Sequence, residues 1–317
     1  MIFFKKAVVK CIKTLTEAFG FLFKFLFRRQ DLFPIWESMG FHVTPAHFYQ
    51  PIPILKNLDQ ELFKRKFSCP GIDFNEPGQQ ELLYRFALNY KSEYDKIPLE
   101  KPSSSGEYYI NNGNFESVDG EILYCIIRDF KPKKHIEVGS GYSTLVAWSA
   151  LEKNQSEGDA NTFTAVEPYP RAFLRQAISS RSVNLIEKKI QDVDIALFNE
   201  LQENDVLFID SSHVLKIGSD VYYEYLEIIP SLNKGVIVHI HDIFLPYDYP
   251  KEWIFQDHFF WNEQYLLQAF LSYNDHFEVL WAGSYMHTYH SEQLAESFRN
   301  YHPETRHPGS FWIRKIK

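Results

Sequence analysis

His135-Ile136-Glu137-Val138-Gly139-Ser140-Gly141-Tyr142-Ser143-Thr144 is the stretch that decides the fold. Its first half ends a short apolar run, and its two glycines permit a tight strand-to-helix turn with close backbone approach to a ligand. A dinucleotide fingerprint has a third glycine at the position of Thr144. The carboxylate of Glu137 is a poor neighbour for a pyrophosphate and better suits a ligand with an ammonium or sulfonium group. The motif therefore predicts a ligand-binding strand–turn–helix.

Short apolar runs alternate with longer helical patterns from residue 107 onward. This alternation, with nearly continuous apolar strands, indicates an α/β, Rossmann-like, doubly wound and mostly parallel sheet covered on both faces. Two terminal runs, 277–281 and 310–314, predict an antiparallel C-terminal edge. The predicted inner strands are 134–139, 162–167, 205–210 and 235–241, and the predicted helices between them are 142–151, 170–179 and 217–229.

The end of the second predicted strand carries Glu167, which can accept hydrogen bonds from both hydroxyls of a ribose. A Gly-x-Gly turn is weak evidence alone, but Glu137 before it and Glu167 at the next strand end make the pattern specific. On these residues, and over about residues 107–317, the chain resembles the class I S-adenosylmethionine-dependent methyltransferases. The resemblance implies a seven-stranded sheet and S-adenosylmethionine as the cofactor.

The resemblance also implies roles for individual residues. An acidic residue after the third strand often meets the adenine, and Asp192 is the candidate here, although it could instead cap the following helix. The segment 108–115 resembles the lead-in that covers the cofactor in relatives. The implied cofactor-binding residues are Glu137, Gly139, Ser140 and Gly141 for the methionine part, Glu167 for the ribose, Asp192 for the adenine, and Asp210 after the fourth strand.

The predicted fourth and fifth strands end in chemically active residues. Asp210-Ser211-Ser212-His213 follows the fourth strand, and His239-Ile240-His241-Asp242 spans the end of the fifth. Neighbouring parallel strands bring these ends together, so Asp210, His213, His241 and Asp242 are the candidate catalytic residues. His213 is predicted as the general base that takes a hydroxyl proton, and His239 is expected to face away from His241 into packing.

Carboxylates and an imidazole can also hold a divalent cation. The arrangement is similar to magnesium-dependent sugar O-methyltransferases of the macrocin type and to cephalosporin hydroxylases. In those families an acid after the fourth strand and an acidic pair after the fifth bind the metal. Asp210 and Asp242 match two positions and His241 replaces one acid, so magnesium, a borderline metal or no metal stay open for the set Asp210, His241 and Asp242.

An aromatic insertion, residues 244–265, follows the fifth strand and is expected to overhang the same strand ends. It resembles a segment of bacterial methyltransferase-like proteins that also carry the Asp-Ser-Ser-His stretch. Its composition suits recognition of a sugar or an apolar ring, although self-packing explains most of its aromatic residues equally well.

Charge is unevenly distributed along the 317 residues, whose formal net charge is −8. Residues 1–30 hold seven of the 33 Lys and Arg residues and one of the 41 Asp and Glu residues, so this segment is +6 and the remainder −14. An acidic body argues against a nucleic-acid partner, because phosphate binding requires a basic field. The split predicts a separate role for the N terminus.

The N-terminal segment is predicted as one amphipathic helix. Its polar groups, Lys6, Lys10, Lys13, Glu17, Lys24 and Arg28, follow a stripe about 60° wide at helical periodicity. Lys24 interrupts the apolar run that a spanning helix requires, and an A-x-A-like signal-peptide cleavage site is absent. Three surfaces stay open for its apolar face, namely an anionic membrane, the protein's own body and a second subunit.

The domain and function hypotheses follow from these features. Three parts are predicted: a basic helix (1–30), an aromatic, Pro-rich accessory region covering the active site (31–105, with a helix over 77–90), and a methyltransferase-like catalytic domain (106–317), with the boundary in the loop 101–106. Sparse, unpaired cysteines suit the reducing cytosol, with peripheral membrane attachment as an addition. The leading hypothesis is O-methylation of a glycan, glycolipid or secondary metabolite. A metal-dependent hydroxylase and a non-catalytic, membrane-docked cofactor-binding scaffold are the alternatives.

Overall fold

The computed structural model describes residues 2–103, 106–179 and 181–317, with side chains from residue 8 onward. Several features of the sequence fall outside that description. They are the side chains of Lys5 and Lys6 at the basic N terminus, Ser104 and Ser105 of the predicted boundary loop, Met1 and Ser180.

A seven-stranded sheet organises the main body of the chain, in the order β3-β2-β1-β4-β5-β7-β6. The first five strands pair in parallel, and β7 is antiparallel to both β5 and β6, which confirms the predicted fold class and its antiparallel edge. The strands are β1 (Lys134–Val138), β2 (Thr162–Val166), β3 (Val183–Ile186), β4 (Val206–Ile209), β5 (Ile237–Ile240), β6 (Phe277–Ala282) and β7 (Phe311–Lys315).

Helices cover the sheet and extend from its ends. The helix predicted over 217–229 begins at Asp220 and passes through a π-helical turn, Glu224–Ile228, before it ends at Ser231. The α-helices are α1 (Ile2–Leu26), α2 (Phe33–Ser38), α3 (Glu76–Tyr94), α4 (Asp119–Phe130), α5 (Tyr142–Ser156), α6 (Ala172–Ile178), α7 (Ala196–Asn199), α8 (Asp220–Tyr223), α9 (Ile229–Ser231), α10 (Glu263–Leu271), α11 (Gly283–Tyr289) and α12 (Ser291–Ser297). Shorter turns are the 3₁₀ segments Gln30–Leu32, Leu55–Asn57, Gln60–Lys64 and Ile190–Asp192 and the π segment Trp253–Asp257.

Strand β4 shows why the central strands are apolar throughout. Val206 and Phe208 belong to the core cluster on one face of the sheet, whereas Leu207 and Ile209 belong to the cluster on the other. All four side chains are buried, because successive strand residues point to opposite faces and both faces carry helices. The apolar run that predicted this strand therefore reflects burial on both sides.

The compact unit that contains the sheet begins at Phe63. Its helix α3 is hydrogen-bonded to β6, because the amide of Ala282 in β6 donates to Oε1 of Gln79 in α3 at 2.7 Å. Tyr94, at the end of α3, donates its hydroxyl to the Ser297 carbonyl at 3.0 Å. Residues 63–103 of the predicted accessory region thus belong to the same compact unit as the sheet.

Residues up to Leu62 form a separate compact unit that contains α1 and α2. The predicted N-terminal helix is present as α1, which is 25 residues long. Across the described residues, none of the helices has both the length and the apolarity needed to cross a bilayer.

We predict that Asp205 stabilises the starts of β1 and β4. Its buried carboxylate accepts from the amides of Lys133 and Lys134, at 2.9 and 2.8 Å, and from that of Gln202 at 2.8 Å. Asp205→Ala leaves these three donors without their partner and should lower the free energy of unfolding, measured with urea, by about 2–4 kcal/mol. Asp205→Asn, which retains one acceptor oxygen, should lose less, and equal losses would contradict this account.

Candidate active site

The turn after β1 brings three strand ends together. Gly139 has φ +80°, and a Cβ added there would overlap the carbonyl oxygen of Asp210 at the end of β4. The Gly139 amide donates to the Val166 carbonyl at 3.0 Å, and the Ser140 amide donates to Glu167 Oε2 at 3.2 Å. Only glycine satisfies both the positive φ and the close approach, as the motif predicts.

A cavity of about 430 Å³ opens at this turn, at the carboxyl ends of β1, β2 and β4. Such ends are where parallel α/β sheets bind their ligands. Its lining is mixed polar and apolar, and consists of Val138, Gly139, Val166, Glu167, Pro168, Tyr169, Lys189, Ile190, Gln191, Asp210, Ser211, Ser212, Lys216, Gly218, Ser219 and Asp220. Another cavity, of about 580 Å³, is lined partly by Glu93, Trp148 and Arg181 and contains none of the predicted site residues.

Three of the predicted cofactor residues, Gly139, Glu167 and Asp210, line the cavity. Gly141 caps the N terminus of α5, and its amide donates to Thr144 Oγ1 at 3.0 Å. The hydroxyl of Ser140 is buried without a hydrogen-bond partner, which leaves a polar group free for a ligand. A turn flanked by glycines, with carboxylates at the ends of the two strands that flank β1, fits the ammonium, sulfonium and ribose groups of S-adenosylmethionine.

Glu137 and Asp192, two other predicted cofactor-binding residues, do not line the cavity. Glu137 is fully buried and accepts from the Ser143 hydroxyl at 2.6 Å, so it braces the start of α5 and is not part of the cavity lining. Asp192 ends a 3₁₀ turn with its side chain exposed, and the preceding Ile190 and Gln191 line the cavity in its place. Strand periodicity explains the first difference, because Glu137 and the lining residue Val138 point to opposite sides.

His213 is the centre of a second group of residues beside the cavity. Its Nδ1 lies 2.8 Å from Glu263 Oε2, and its Nε2 lies 3.2 Å from Asp210 Oδ1 and 3.5 Å from Asp242 Oδ2. His213 and Asp242 both adopt left-handed backbone conformations, with φ of +59° and +56°. Residues of this kind in sparsely populated conformations concentrate at functional sites, where the surrounding structure holds them. We name Asp210, His213, Asp242 and Glu263 the acid–histidine cluster.

The charged groups of the acid–histidine cluster shift one another's pKa values. Burial alone lowers the pKa of His213, but hydrogen bonds to Asp210 and Glu263 and the charges of Glu263 and Asp242 outweigh it, so the pKa is well above its usual value. Burial raises the pKa of Asp242, whereas for Asp210 the nearby His241 and His213 outweigh burial and lower the pKa. These contacts therefore favour the protonated form of His213. The role of His213 as general base stays a prediction.

His241 and His239 lie on one side of β5, contrary to the expectation that His239 faces away. Their ring centroids are 5.5 Å apart, because residues two apart on a strand share a face. His239 is fully buried, stacks on Phe208 at 3.9 Å and bonds Ser310 Oγ at 3.1 Å, so it packs in the core. His241 Nε2 lies 3.6 Å from Asp242 Oδ1 at the edge of the acid–histidine cluster.

The predicted metal set also changes. Within the described residues, the group whose potential ligand atoms all lie within 4.8 Å of one another is Asp210, His213 and Asp242. His213 thus takes the position that the sequence analysis assigned to His241. The left-handed turn after β4 brings His213 back over the strand end, which a linear spacing argument does not reveal.

Glu263 is the functional candidate that the sequence analysis missed. It begins α10, is fully buried and belongs to the aromatic insertion, 50 residues after its partner His213. The insertion does cover the site as expected, since the Trp261 ring lies 4.3 Å from that of His213 and stacks on Phe259 at 5.0 Å. Nothing local distinguishes Glu263 from a helix-capping acid; only its burial does.

We predict that Gly139→Ala lowers the free energy of unfolding by much more than the strain of a positive φ alone would cause. The added methyl would overlap the Asp210 carbonyl and separate the ends of β1 and β4. Gly40→Ala is a matched control, because Gly40 has φ +85° with no atom near its would-be Cβ. Thermal unfolding should show a loss of about 1–2 kcal/mol for the control and a clearly larger loss for Gly139→Ala. Equal losses would argue against the close approach.

Glu137 predicts a measurable pH dependence of stability. Burial raises its pKa to about 8, so the folded state keeps a proton that the unfolded chain releases near its usual pKa of 4.5. This contribution is complete below about pH 4.5 and is lost as the pH rises through about 8. The melting temperature of Glu137→Gln relative to wild type should therefore increase from pH 5 to pH 8. The exposed-site control Glu252→Gln should show no such trend, and parallel curves for Glu137→Gln and wild type would contradict the assignment.

Comparison with known proteins agrees with this geometry. A family model described as a methyltransferase domain matches residues 136–243, which span β1 to the end of β5 and include the turn at Gly139, Glu167 and the residues from Asp210 to Asp242. An uncharacterised protein of Archaeoglobus fulgidus is 32% identical over 173 residues, which cover 53% of this chain and 77% of that protein.

Solved structures similar to this chain include two with S-adenosylhomocysteine bound. The plantazolicin methyltransferase BpumL, in complex with a triazolic desmethylPZN analog, is 15% identical over 76% of this chain and 99% of its own, with a TM-score of 0.38. A CmcI structure is 12% identical over 71% of this chain and 91% of its own, with a TM-score of 0.36.

The fold, the strand-end residues and the family match point to one cofactor, S-adenosylmethionine, and to methyl transfer as the reaction. They favour neither the hydroxylase nor the scaffold alternative. The chain belongs to the class I S-adenosylmethionine-dependent methyltransferases.

Proposed function

We propose that this methyltransferase acts on a hydroxyl oxygen of a small-molecule acceptor, such as a glycan, glycolipid or secondary metabolite. The observation that carries the proposal is the double role of Asp210. Asp210 lines the cofactor cavity and also lies 3.2 Å from His213 Nε2 in the acid–histidine cluster. A proton-holding group therefore adjoins the cavity, as methylation of an alcohol requires.

Residues of the cavity would hold the cofactor by its charges and hydroxyls. Glu167 would bind the ribose, and the Gly139–Gly141 turn with Asp210 would bind the methionine part. Gly139, Glu167 and Asp210 line the cavity. Bound there, S-adenosylmethionine supplies an electrophilic methyl group, and its sulfur departs with the C–S electron pair as a neutral thioether. The chain's own task is then to orient the acceptor oxygen and to take its proton.

The acid–histidine cluster takes that proton as a unit. His213 Nε2 lies between Asp210 and Asp242, so a proton lost by the acceptor can be shared between the imidazole and either carboxylate. The raised pKa of Asp242, which burial causes, makes this carboxylate a better proton acceptor than an exposed one. Glu263 fixes the ring through Nδ1 and compensates its positive charge.

The aromatic insertion supports an acceptor with a flat or apolar face. Trp261 lies against His213, and Trp253 and Phe259 pack on Trp261 with ring centroids 5.1 and 5.0 Å away. Phe259 stays 42% exposed, so the group presents aromatic surface to solvent beside the cluster. Sugar rings and apolar rings both stack on such surfaces.

A divalent cation at the acid–histidine cluster is the second candidate, and the compact grouping of Asp210, His213 and Asp242 favours it. Two carboxylates and one imidazole suit magnesium poorly and a borderline metal better. Binding would require neutral His213 and would therefore displace the proton that the cluster holds. If the cluster only holds a proton, a chelator should leave methyl transfer unchanged. If it binds a cation, a chelator should abolish methyl transfer.

We predict that His213→Ala retains cofactor binding and loses methyl transfer. Calorimetry should give an affinity for S-adenosylhomocysteine within about threefold of wild type, because His213 is outside the cavity lining, while transfer of labelled methyl to small molecules of a cell extract should fall about 10²–10⁴-fold. The exposed-site control His276→Ala should match wild type.

The outcomes separate the components of the proposal. Equal labelling by His213→Ala would remove the cluster from the reaction, and failure to bind S-adenosylhomocysteine at millimolar ligand would remove the cofactor site. If dialysis against a chelator abolishes labelling and a metal restores it, the cation candidate replaces the proton-sharing one. Labelled protein or nucleic acid instead of small molecules would contradict the acceptor class.

A further inference from the structure

Helix α1 exposes apolar side chains along most of its length. The exposed apolar residues lie on every side of the helix except a narrow stripe of charged residues, Lys10, Lys13, Glu17 and Lys24, which we name the basic stripe. These apolar residues, which we name the apolar arc, are Val8, Val9, Ile12, Leu15, Phe19, Phe21, Leu22 and Phe25. Their exposed fractions run from 42% for Val8 to 66% for Phe21. Apolar surface of this extent marks an interaction site, because water disfavours it.

Two polar side chains within the apolar arc are already satisfied inside the helix. Thr14 donates its hydroxyl to the Lys10 carbonyl at 3.2 Å, and Thr16 donates to the Ile12 carbonyl at 2.8 Å. A hydroxyl bonded in this way can enter an apolar medium without leaving an unsatisfied donor. The threonines therefore do not interrupt the apolar surface.

The charges of α1 and its continuation are almost all positive. Lys10, Lys13 and Lys24 belong to the basic stripe, and Arg28 continues it beyond the helix. Glu17 is the one acidic residue in residues 1–30. The acidic remainder of the protein would be repelled by an anionic surface, so contact with one depends on this segment. Long Lys and Arg side chains reach headgroups while the helix lies lower, in the acyl boundary.

We propose that α1 docks the enzyme in plane on an anionic lipid surface. The apolar arc enters the headgroup–acyl boundary, and the basic stripe contacts the lipid phosphates. Charge complementarity favours this occupant over the pairing of α1 with the α1 of a second copy, which would present the same positive stripe. The catalytic unit would then be held near acceptors that partition into membranes.

Cys11 provides a native probe for the test. It is exposed on α1, in line with Leu15 and Leu22 at helical spacing, whereas Cys69 and Cys125 are buried. The full chain can therefore be labelled at Cys11 with an environment-sensitive fluorophore. Its emission is then followed with vesicles of phosphatidylcholine alone or mixed with phosphatidylglycerol, alongside co-sedimentation of the unlabelled chain.

Binding should be at least about 10-fold tighter to the phosphatidylglycerol vesicles, with a blue shift of the emission. Salt at about 1 M, which shortens the Debye length to about 3 Å, should weaken it. Ile12→Glu/Phe19→Glu should lose binding and keep the unfolding temperature. Phe48→Glu/Ile52→Glu, at exposed positions outside the helix, should bind as wild type does.

Three results would overturn the proposal. They are absence of binding, equal binding to neutral and anionic vesicles, and an emission already blue-shifted without vesicles and unchanged by them. In the last case, light scattering would identify a second copy as the occupant if the chain is a dimer, and the protein's own surface if it is a monomer.

Discussion

The contact on which the site depends is the approach of Gly139 to the carbonyl of Asp210. It brings the turn after β1 against the end of β4, with no room for a side chain between them. Asp210 is thereby held at the cavity while its carboxylate remains within reach of His213. A larger residue at position 139 would separate the end of β1 from that of β4, so glycine there keeps the cavity next to the acid–histidine cluster.

Burying several charges near one another is costly, and the acid–histidine cluster compensates that cost by pairing. The His213 ring has Glu263 on one nitrogen and two aspartates on the other. Buried groups held in this way keep their geometry because each depends on its partners. The same pairing moves the pKa of His213 upward, so protonation of the imidazole depends on the carboxylates around it.

Some features were predictable because they are local. Apolar runs flanked by turns indicated β1, β2, β4 and β5, since central parallel strands are buried on both faces. Residues such as Glu167 were predictable because they directly follow strands. The sequence did not reveal that Glu137 and Asp192 lie outside the cavity lining or that His239 shares a side with His241, because these depend on side-chain direction. Glu263 was missed because its partner is 50 residues away.

The sequence by itself determined the sheet, its antiparallel edge, the cofactor turn and the separate basic helix. Each of these is indicated by the periodicity of apolar residues or by a short motif. Only the tertiary structure decided which acids surround His213, that His213 and not His241 joins Asp210 and Asp242, and that the pKa of His213 is raised. These depend on left-handed turns at His213 and Asp242 and on the desolvation of distant residues brought together. Electrostatics of that kind depends on three-dimensional distance and burial, and neither is encoded in the spacing of residues along the chain.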